Sequence, residues 1–257
     1  MSKIELTEEQ RALKVEFKDR VGYWEDAYDE WVKMDPELFE EYVELAAHPW
    51  EQNAIPRKDK ALIMVALDAS VTHLNEEGLR QSIRLALDYG ATKSEILDVL
   101  ESIPYVAMHT LIDGVPLLEE EAGLPEDVSD AEKADQQRVK EKFIKRRGWW
   151  NEIWDPVLAL DHEFLEKHTN VSGMHNERWS LDPKLKQFIY VAIDMSTTQL
   201  YTMGAQVHMA SAIEHGATRE ELMELMELVN HQGYDTMTLG LPILAEEAAK
   251  HDGGASE

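Results

Sequence analysis

The chain has no cysteine in its 257 residues. That absence removes disulfide staples, thiolate nucleophiles, cysteine-ligated metals and thiol redox relays together. No apolar run reaches the roughly 18 residues that a membrane span requires, and the opening stretch MSKIELTEEQ carries no apolar signal core. The expectation is a soluble cytoplasmic protein with no membrane partner. Basic residues are scarce: 25 Lys and Arg stand against 51 Asp and Glu, a formal charge of -26. Such a field repels phosphate backbones and anionic lipid, which argues against nucleic acid as a partner. Any anionic substrate must then meet a local cluster of Arg, Lys or His. Period-two alternation is missing over any useful length, so the fold class expected is all-α.

What the chain does have is a repeat. THLNEEGLRQSIRLALDYGATKSE, from Thr72 to Glu95, returns without a gap as TQLYTMGAQVHMASAIEHGATREE, from Thr198 to Glu221. In each copy a helix stops at a glycine, Gly90 or Gly216, that can take the left-handed turn. A threonine two residues on, Thr92 or Thr218, then starts the next helix with Glu95 or Glu221 completing a capping box. The same register joins Gly22-Tyr23-Trp24 and Tyr28 to Gly148-Trp149-Trp150 and Trp154, and Asp35, Glu37 and Phe39 to Asp161, Glu163 and Leu165, always 126 positions later. A frame held from about Phe17 to Glu120 is expected of a duplication, because chance similarity would drift.

Two domains follow, 7–122 and 129–250, joined by the exposed connection GLPEDVSD from Gly123 to Asp130. Thr7 with Gln10 starts a helix through Arg20, and Ser129 with Glu132 starts one through Arg146. Lys58 to Val71 and Lys184 to Thr197 are apolar nearly all round, as a helix at the centre of a bundle should be. Glu76 to Tyr89 and Met203 to His215 are the next pair, Lys93 to Ile103 and Arg219 to Val229 follow the threonine caps, and Leu111 to Glu121 and Met237 to Lys250 close each copy. The aromatic repeat at 23, 24, 28, 149, 150 and 154 suits core packing or an interface. The end, HDGGASE, is expected to fray.

This order of elements, with a histidine at 208 that precedes Gly-Ala-Thr by eight residues, resembles the carboxymuconolactone decarboxylase family over almost the whole chain, twice. The resemblance implies two tandem copies of that helical bundle forming a pseudo-dimer. It also implies one of two chemistries: a cysteine-dependent peroxidase branch like alkylhydroperoxidase D, or a decarboxylase branch without the thiols. The peroxidase pattern Cys-x-x-Cys-x-x-x-His falls on Tyr201, Gly204 and His208 in the second copy and on Asn75, Gly78 and Ser82 in the first, so thiol peroxidase activity is excluded. The decarboxylase branch carries acidic residues, then an arginine, then the histidine two residues later. The first copy has Glu76, Glu77 and Arg80 but Ser82; the second has His208 but Met203 and Gln206. Either the site is composite or one site has decayed. Single-copy relatives form dimer-based rings, which implies a homo-oligomer here, a dimer or trimer of tandem chains.

The function so implied is decarboxylation of a small carboxylic acid or lactone of aromatic-compound breakdown, with no cofactor and no metal. An isomerase, cyclase or hydrolase on the same scaffold, or a non-catalytic binding or scaffold protein, stays open. His208 is the candidate general acid or base; a lone histidine on a helix face is otherwise a satisfied core residue. Arg80 suits a bidentate hold on a substrate carboxylate, or else a weak ion pair with Glu76 or Glu77 on a wet face. Asp68 and its repeat partner Asp194 sit in apolar helices, where a carboxyl must be hydrogen-bonded or kept protonated; they are cast as setting the histidine's charge. His73 and Glu77 share a helical spacing that with His109 would suit ligands, yet Gln199 and Met203 replace the first two in the second copy, against a metal. His109, His231 and Asp235 begin the closing segments, as pocket lining or as caps. Tyr201 and these residues complete the expected substrate-binding set.

Overall fold

The structure is a computed structural model that describes residues 5–125 and 127–254. Every described element is helical. The chain opens with α1 (Glu8–Val21), α2 (Ala27–Met34), α3 (Pro36–Glu51) and α4 (Arg57–Asp68). It continues through α5 (Glu76–Asp88), α6 (Lys93–Ser102), a 3-10 turn at Ile103–Met108 and α7 (His109–Ala122). The order then recurs as α8 (Asp130–Arg147), a 3-10 turn at Glu152–Trp154, α9 (Asp155–Leu160), α10 (His162–Arg178) and α11 (Pro183–Met195). The last helices are α12 (Thr202–Glu214), α13 (Arg219–Asn230), a 3-10 turn at His231–Tyr234 and α14 (Asp235–Gly254). From α3 onward each helix of the second series starts 126 positions after its counterpart. None of the described helices is long and apolar enough to cross a membrane.

Local chemistry explains the boundaries. Thr7 with Gln10 and Thr218 with Glu221 form reciprocal capping boxes. Gly90 and Gly216 take φ of +87° and +86°, the left-handed turn anticipated from their place before Ala-Thr. The aromatic stretch 27–51, which shows a repeat but no plain helical period, is helical as well, with Asp35 capping α3 through Leu38 N. The closing helices start two residues earlier than the apolar pattern suggests, and α14 runs to Gly254, so residues 251–254 are not a frayed end. Residues 255–257 of that tail lie outside the described residues.

The compact units do not follow the repeats. One comprises residues 1–99 with 182–257, the other residues 100–181. The boundaries expected from the sequence repeat, 7–122 and 129–250, differ from these units, each of which takes residues from both stretches. In the larger unit α4 packs on α11, and each pairs with the helix that follows it, α5 or α12. Ala61, Leu62, Ile63, Val65, Ala66 and Leu67 of α4 are buried, as are Leu185, Phe188, Ile189, Val191, Ala192 and Ile193 of α11. Thr72 Oγ1 meets Thr198 Oγ1 at 3.0 Å. Contact between equivalent positions marks a local two-fold relation. The first copy's opening helices meet the second copy's closing ones, α2 on α14 and α3 on α13. In the smaller unit α7 of the first copy packs on α9 of the second, and α8 packs on α10 within the second copy, around Val139, Phe143, Trp154 and Leu165.

A buried ion pair ties α4 to α13. Lys60 Nζ and Glu224 Oε1 are 2.5 Å apart and both side chains are fully enclosed. Lys60 also donates to the carbonyls of Pro49 (2.6 Å) and Gln52 (2.8 Å) at the end of α3, where helical acceptors lack partners. Glu224 accepts from the amides of Ala54 (3.0 Å) and Ile55 (3.3 Å). Two charges thus satisfy four backbone groups that the turn at 52–56 would otherwise bury unpaired.

This predicts that Lys60→Met destabilises the protein by about 3–5 kcal/mol in denaturant unfolding. The double variant Lys60→Met/Glu224→Met should remain destabilised by at least about 2 kcal/mol, because the backbone groups stay unpaired. Recovery of the double variant to wild-type stability would show that only the two charges matter.

Candidate active site

The turn after α4 builds one wall of a site. Asn75 N donates to the carbonyl of Asp68 (2.9 Å), Leu74 takes a left-handed φ of +50°, and Asn75 Oδ1 accepts from Gly78 N (3.1 Å) to cap α5. Gly78 is required there, since a Cβ would lie 2.7 Å from Asp68 Oδ1. The second copy repeats the device. Leu200 has a φ of +48°, Tyr201 N donates to the Asp194 carbonyl at 2.7 Å, and a Cβ on Gly204 would overlap the Asp194 carboxylate.

Behind that wall in the larger unit is a cavity of about 20 Å³, lined by Tyr23, Glu25, Asp68, Ser82, His231 and Asp235 among others. The first copy supplies Tyr23 and Glu25 from the turn before α2, Asp68 from α4 and Ser82 from α5. The second copy supplies His231 and Asp235 from its closing segment. A larger depression along α1, with Arg11, Val15, Glu16 and Asp19 on it, is the open surface of one helix and brings no reactive groups together.

A chain of hydrogen bonds runs through the lining. Tyr28 O–H donates to Glu25 Oε1 (3.3 Å) and lies 3.3 Å from Tyr42 Oη. The Tyr42 and Tyr23 hydroxyls each stand 3.0 Å from His231 Nε2, and the His231 ring stacks on Tyr42 at 5.6 Å. Loss of water around the imidazole pulls its pKa down to about 4, so it is neutral near pH 7. Burial pushes the Glu25 carboxyl up to about 7; the charge of Asp235 adds to this and the Tyr28 hydrogen bond opposes it. Burial also raises Asp68 well above the carboxylate range, against a hydrogen bond from Ser82. Asp235 is raised by burial, with His73 pulling the other way at 2.7 Å from Nε2 to Oδ2. The cavity therefore offers a carboxylic acid that holds its proton near neutrality, beside an unprotonated imidazole.

Of the residues expected from sequence, the structure gathers Asp68, His73, His231 and Asp235. His208 does not line this cavity; its repeat partner Ser82 does. On α12 the half-buried His208 has Nδ1 2.8 Å from Gln187 Oε1, and its ring lies 4.7 Å from that of Tyr190. Asp194 is buried, accepts from Gln199 Nε2 at 3.3 Å, and is pushed up to about 7 by burial. Tyr201 precedes α12 at its N-cap. Arg80 is not a carboxylate anchor in this arrangement. It is exposed and its Nη2 pairs with Glu76 at 2.6 Å, one turn away, because an i,i+4 partner on a wet face is nearer than any wall of the cavity. Glu77 is exposed on the same helix. His109 opens α7 in the unit 100–181, half-buried, its pKa lowered by burial against the pull of Asp113. Glu25 and Tyr42 are functional candidates that local pattern does not reveal. One signal was present: Glu25 stands where the second copy has Asn151, a charge difference inside an otherwise faithful aromatic repeat.

The sequence model of the carboxymuconolactone decarboxylase family matches residues 163–230. A crystal structure designated a gamma-carboxymuconolactone decarboxylase subunit, from Burkholderia xenovorans LB400, superposes with a TM-score of 0.84 and 34% sequence identity. The alignment covers 95% of this chain and 98% of that one. No curated protein matches significantly.

The raised Asp194 carboxyl makes a prediction about stability. The folded state keeps a proton that the unfolded chain releases near pH 4, so stability from this group is present at low pH and is lost as pH rises through about 7. Asp194→Asn should therefore gain on wild type by on the order of 3 kcal/mol between pH 4.5 and 7.5 in urea melts. An equal difference at the two pH values would contradict a proton held at this site.

Proposed function

Because the chain belongs to the carboxymuconolactone decarboxylase family, we propose that it is a thiol-independent lyase that removes carbon dioxide from a small unsaturated or cyclic carboxylic acid or lactone. The single observation that carries this reading is the junction of Glu25 and His231 in one cavity through Tyr28 and Tyr42, with Tyr23 at the same imidazole nitrogen. In such a reaction the bond to the departing carboxylate breaks, its electron pair spreads into the adjoining conjugated system, and a carbon takes up a proton. Glu25, about half protonated near pH 7, is the proton source. Tyr23 is the hydrogen-bond donor for the anionic oxygen that forms: when the imidazole proton sits on Nε2, the Tyr23 oxygen accepts it and its O–H is free for substrate. Tyr42 and Tyr28 hold the imidazole and the acid in register. The enclosed space of about 20 Å³ admits about one water, so only the reacting end of a substrate enters it as it stands.

This reading replaces Arg80 by neutral hydrogen-bond donors. A carboxylate or lactone oxygen is held by acids that keep their protons, which needs no cation. The proposed substrate class is aromatic-compound breakdown intermediates, named by family likeness. Self-association of the chain is proposed on the same basis, with Leu239, Ile243 and Leu244 of α14 exposed as candidate contacts. A second reading places the chemistry at His208, because the family model covers residues 163–230 and so includes that histidine.

The two readings separate by mutation. With a panel of small unsaturated acids and lactones, and carbon dioxide release followed by 13C NMR, Glu25→Gln and His231→Gln should each cut kcat by about 10²–10⁴-fold while far-UV circular dichroism stays unchanged. His208→Gln should retain activity within about 10-fold. The reverse pattern moves the active site to the second copy, and turnover without carbon dioxide would make the enzyme an isomerase or hydrolase.

A further inference from the structure

The wall of the cavity formed by residues 68–75 carries a ligand set that the reaction above does not use. Asp68 at the end of α4, His73 in the following turn and Asp235 at the start of α14 each place one ligating atom within 4.8 Å of the other two. His73 Nε2 is 2.7 Å from Asp235 Oδ2, and Asp68 is only 6% exposed. Asp68 and Asp235 share the cavity with Glu25, and neither lysine nor arginine lines it. Three carboxyl groups therefore crowd a space of about 20 Å³, large enough for one water or one small cation.

The two copies solve the same local problem differently. At the position of His73 the second copy has Gln199, whose amide donates to the buried Asp194 at 3.3 Å. There a neutral amide donates to a buried carboxyl. In the first copy the loop residue is an imidazole turned to a second carboxyl, contributed by a segment 162 residues away. An amide would serve a purely structural contact as well; an imidazole between two carboxyl groups adds a nitrogen ligand.

We propose that Asp68, His73 and Asp235 bind one divalent first-row transition-metal cation, with water completing its coordination. One imidazole and two carboxylates suit manganese, iron or zinc rather than magnesium or calcium, which favour all-oxygen shells. Metal–ligand bonds of about 2.1 Å set donors about 3–4 Å apart, so the cation would part the His73–Asp235 pair slightly and draw in any wider spacing. The inference concerns binding, so it stands or falls separately from the lyase reading.

The test uses the full chain after chelator treatment, titrated with Mn²⁺ by electron paramagnetic resonance and with Zn²⁺ by calorimetry. Millimolar Mg²⁺ is kept present to occupy the acidic surface. One saturable site per chain is expected. His73→Gln, which installs the second copy's residue at a half-buried position, and Asp235→Asn should each weaken it at least 10-fold. Glu246→Gln, on an exposed pair, should leave it unchanged. Zn²⁺ should raise the melting temperature of wild type and not of His73→Gln, whose fold is checked by circular dichroism without metal. On wild type alone, Co²⁺ should give an absorption spectrum with nitrogen ligation. Absence of a saturable site, or affinity unaltered in His73→Gln, or full displacement by Mg²⁺, would overturn the assignment.

Discussion

Everything that meets in the cavity depends on where α13 lies, and α13 is fixed by the enclosed contact between Lys60 and Glu224. The pair draws the second copy's helix onto α3 and α4 of the first, and the chain that leaves α13 then has little choice of path. His231 follows in the 3-10 turn, against Tyr42, and Asp235 follows at the start of α14, against His73. Burying two charges is costly unless each keeps several partners. Here the cost is offset because both ions also serve four backbone groups between Pro49 and Ile55. Burial lowers the lysine's proton affinity while Glu224 restores part of it, as a well-paired interior cation should behave.

A doubled frame supplies geometry twice, and chemistry can then diverge at single positions without disturbing the scaffold. The turn after the buried helix, the left-handed leucine and the glycine beside the aspartate occur in both copies. The residues at equivalent positions do not match: Ser82 against His208, His73 against Gln199, Glu25 against Asn151, Asp235 against His109. The backbone is held by what is common to the copies, so such exchanges alter charge and proton affinity at modest structural cost. The described cavity thus has Ser82 where the second copy has His208, and a different histidine, His231, lines it from the far end of the chain.

Much of the fold was legible because its signals are local. Threonine caps, glycine stops and apolar helices set at 58–71 and 184–197 need only a few residues of context, and their spacing repeats. Asp68, His73, His231 and Asp235 were legible as candidates for a similar reason, each being an ionisable group in an apolar or terminal setting. Their convergence was not. Tyr23 and His231 touch across 208 residues of sequence, Tyr42 and His231 across 189. No periodicity encodes which copy's end packs on which copy's beginning, so the compact units and the place of Glu25 in the cavity emerge only in three dimensions. Arg80 shows the converse: its ion pair with Glu76 was the local solution, and the local solution held.

The acidity of the chain and the acidity of the cavity act in the same direction. A formal charge of -26 raises the cost of ionising any further carboxyl, and burial raises it again for Glu25. The deficit of positive charge in the cavity can be met in two ways, by protons retained on the acids or by a cation shared among them. Retained protons turn an acidic pocket into a set of hydrogen-bond donors, which lets an anionic substrate approach without a guanidinium to greet it. A shared cation on the wall at 68–75 would take the place of protons on Asp68 and Asp235 and, by its charge, favour the ionised form of Glu25 as well. The two remedies share Asp68 and Asp235, and either lets a pocket with no lysine or arginine among its described lining residues suit a carboxylate.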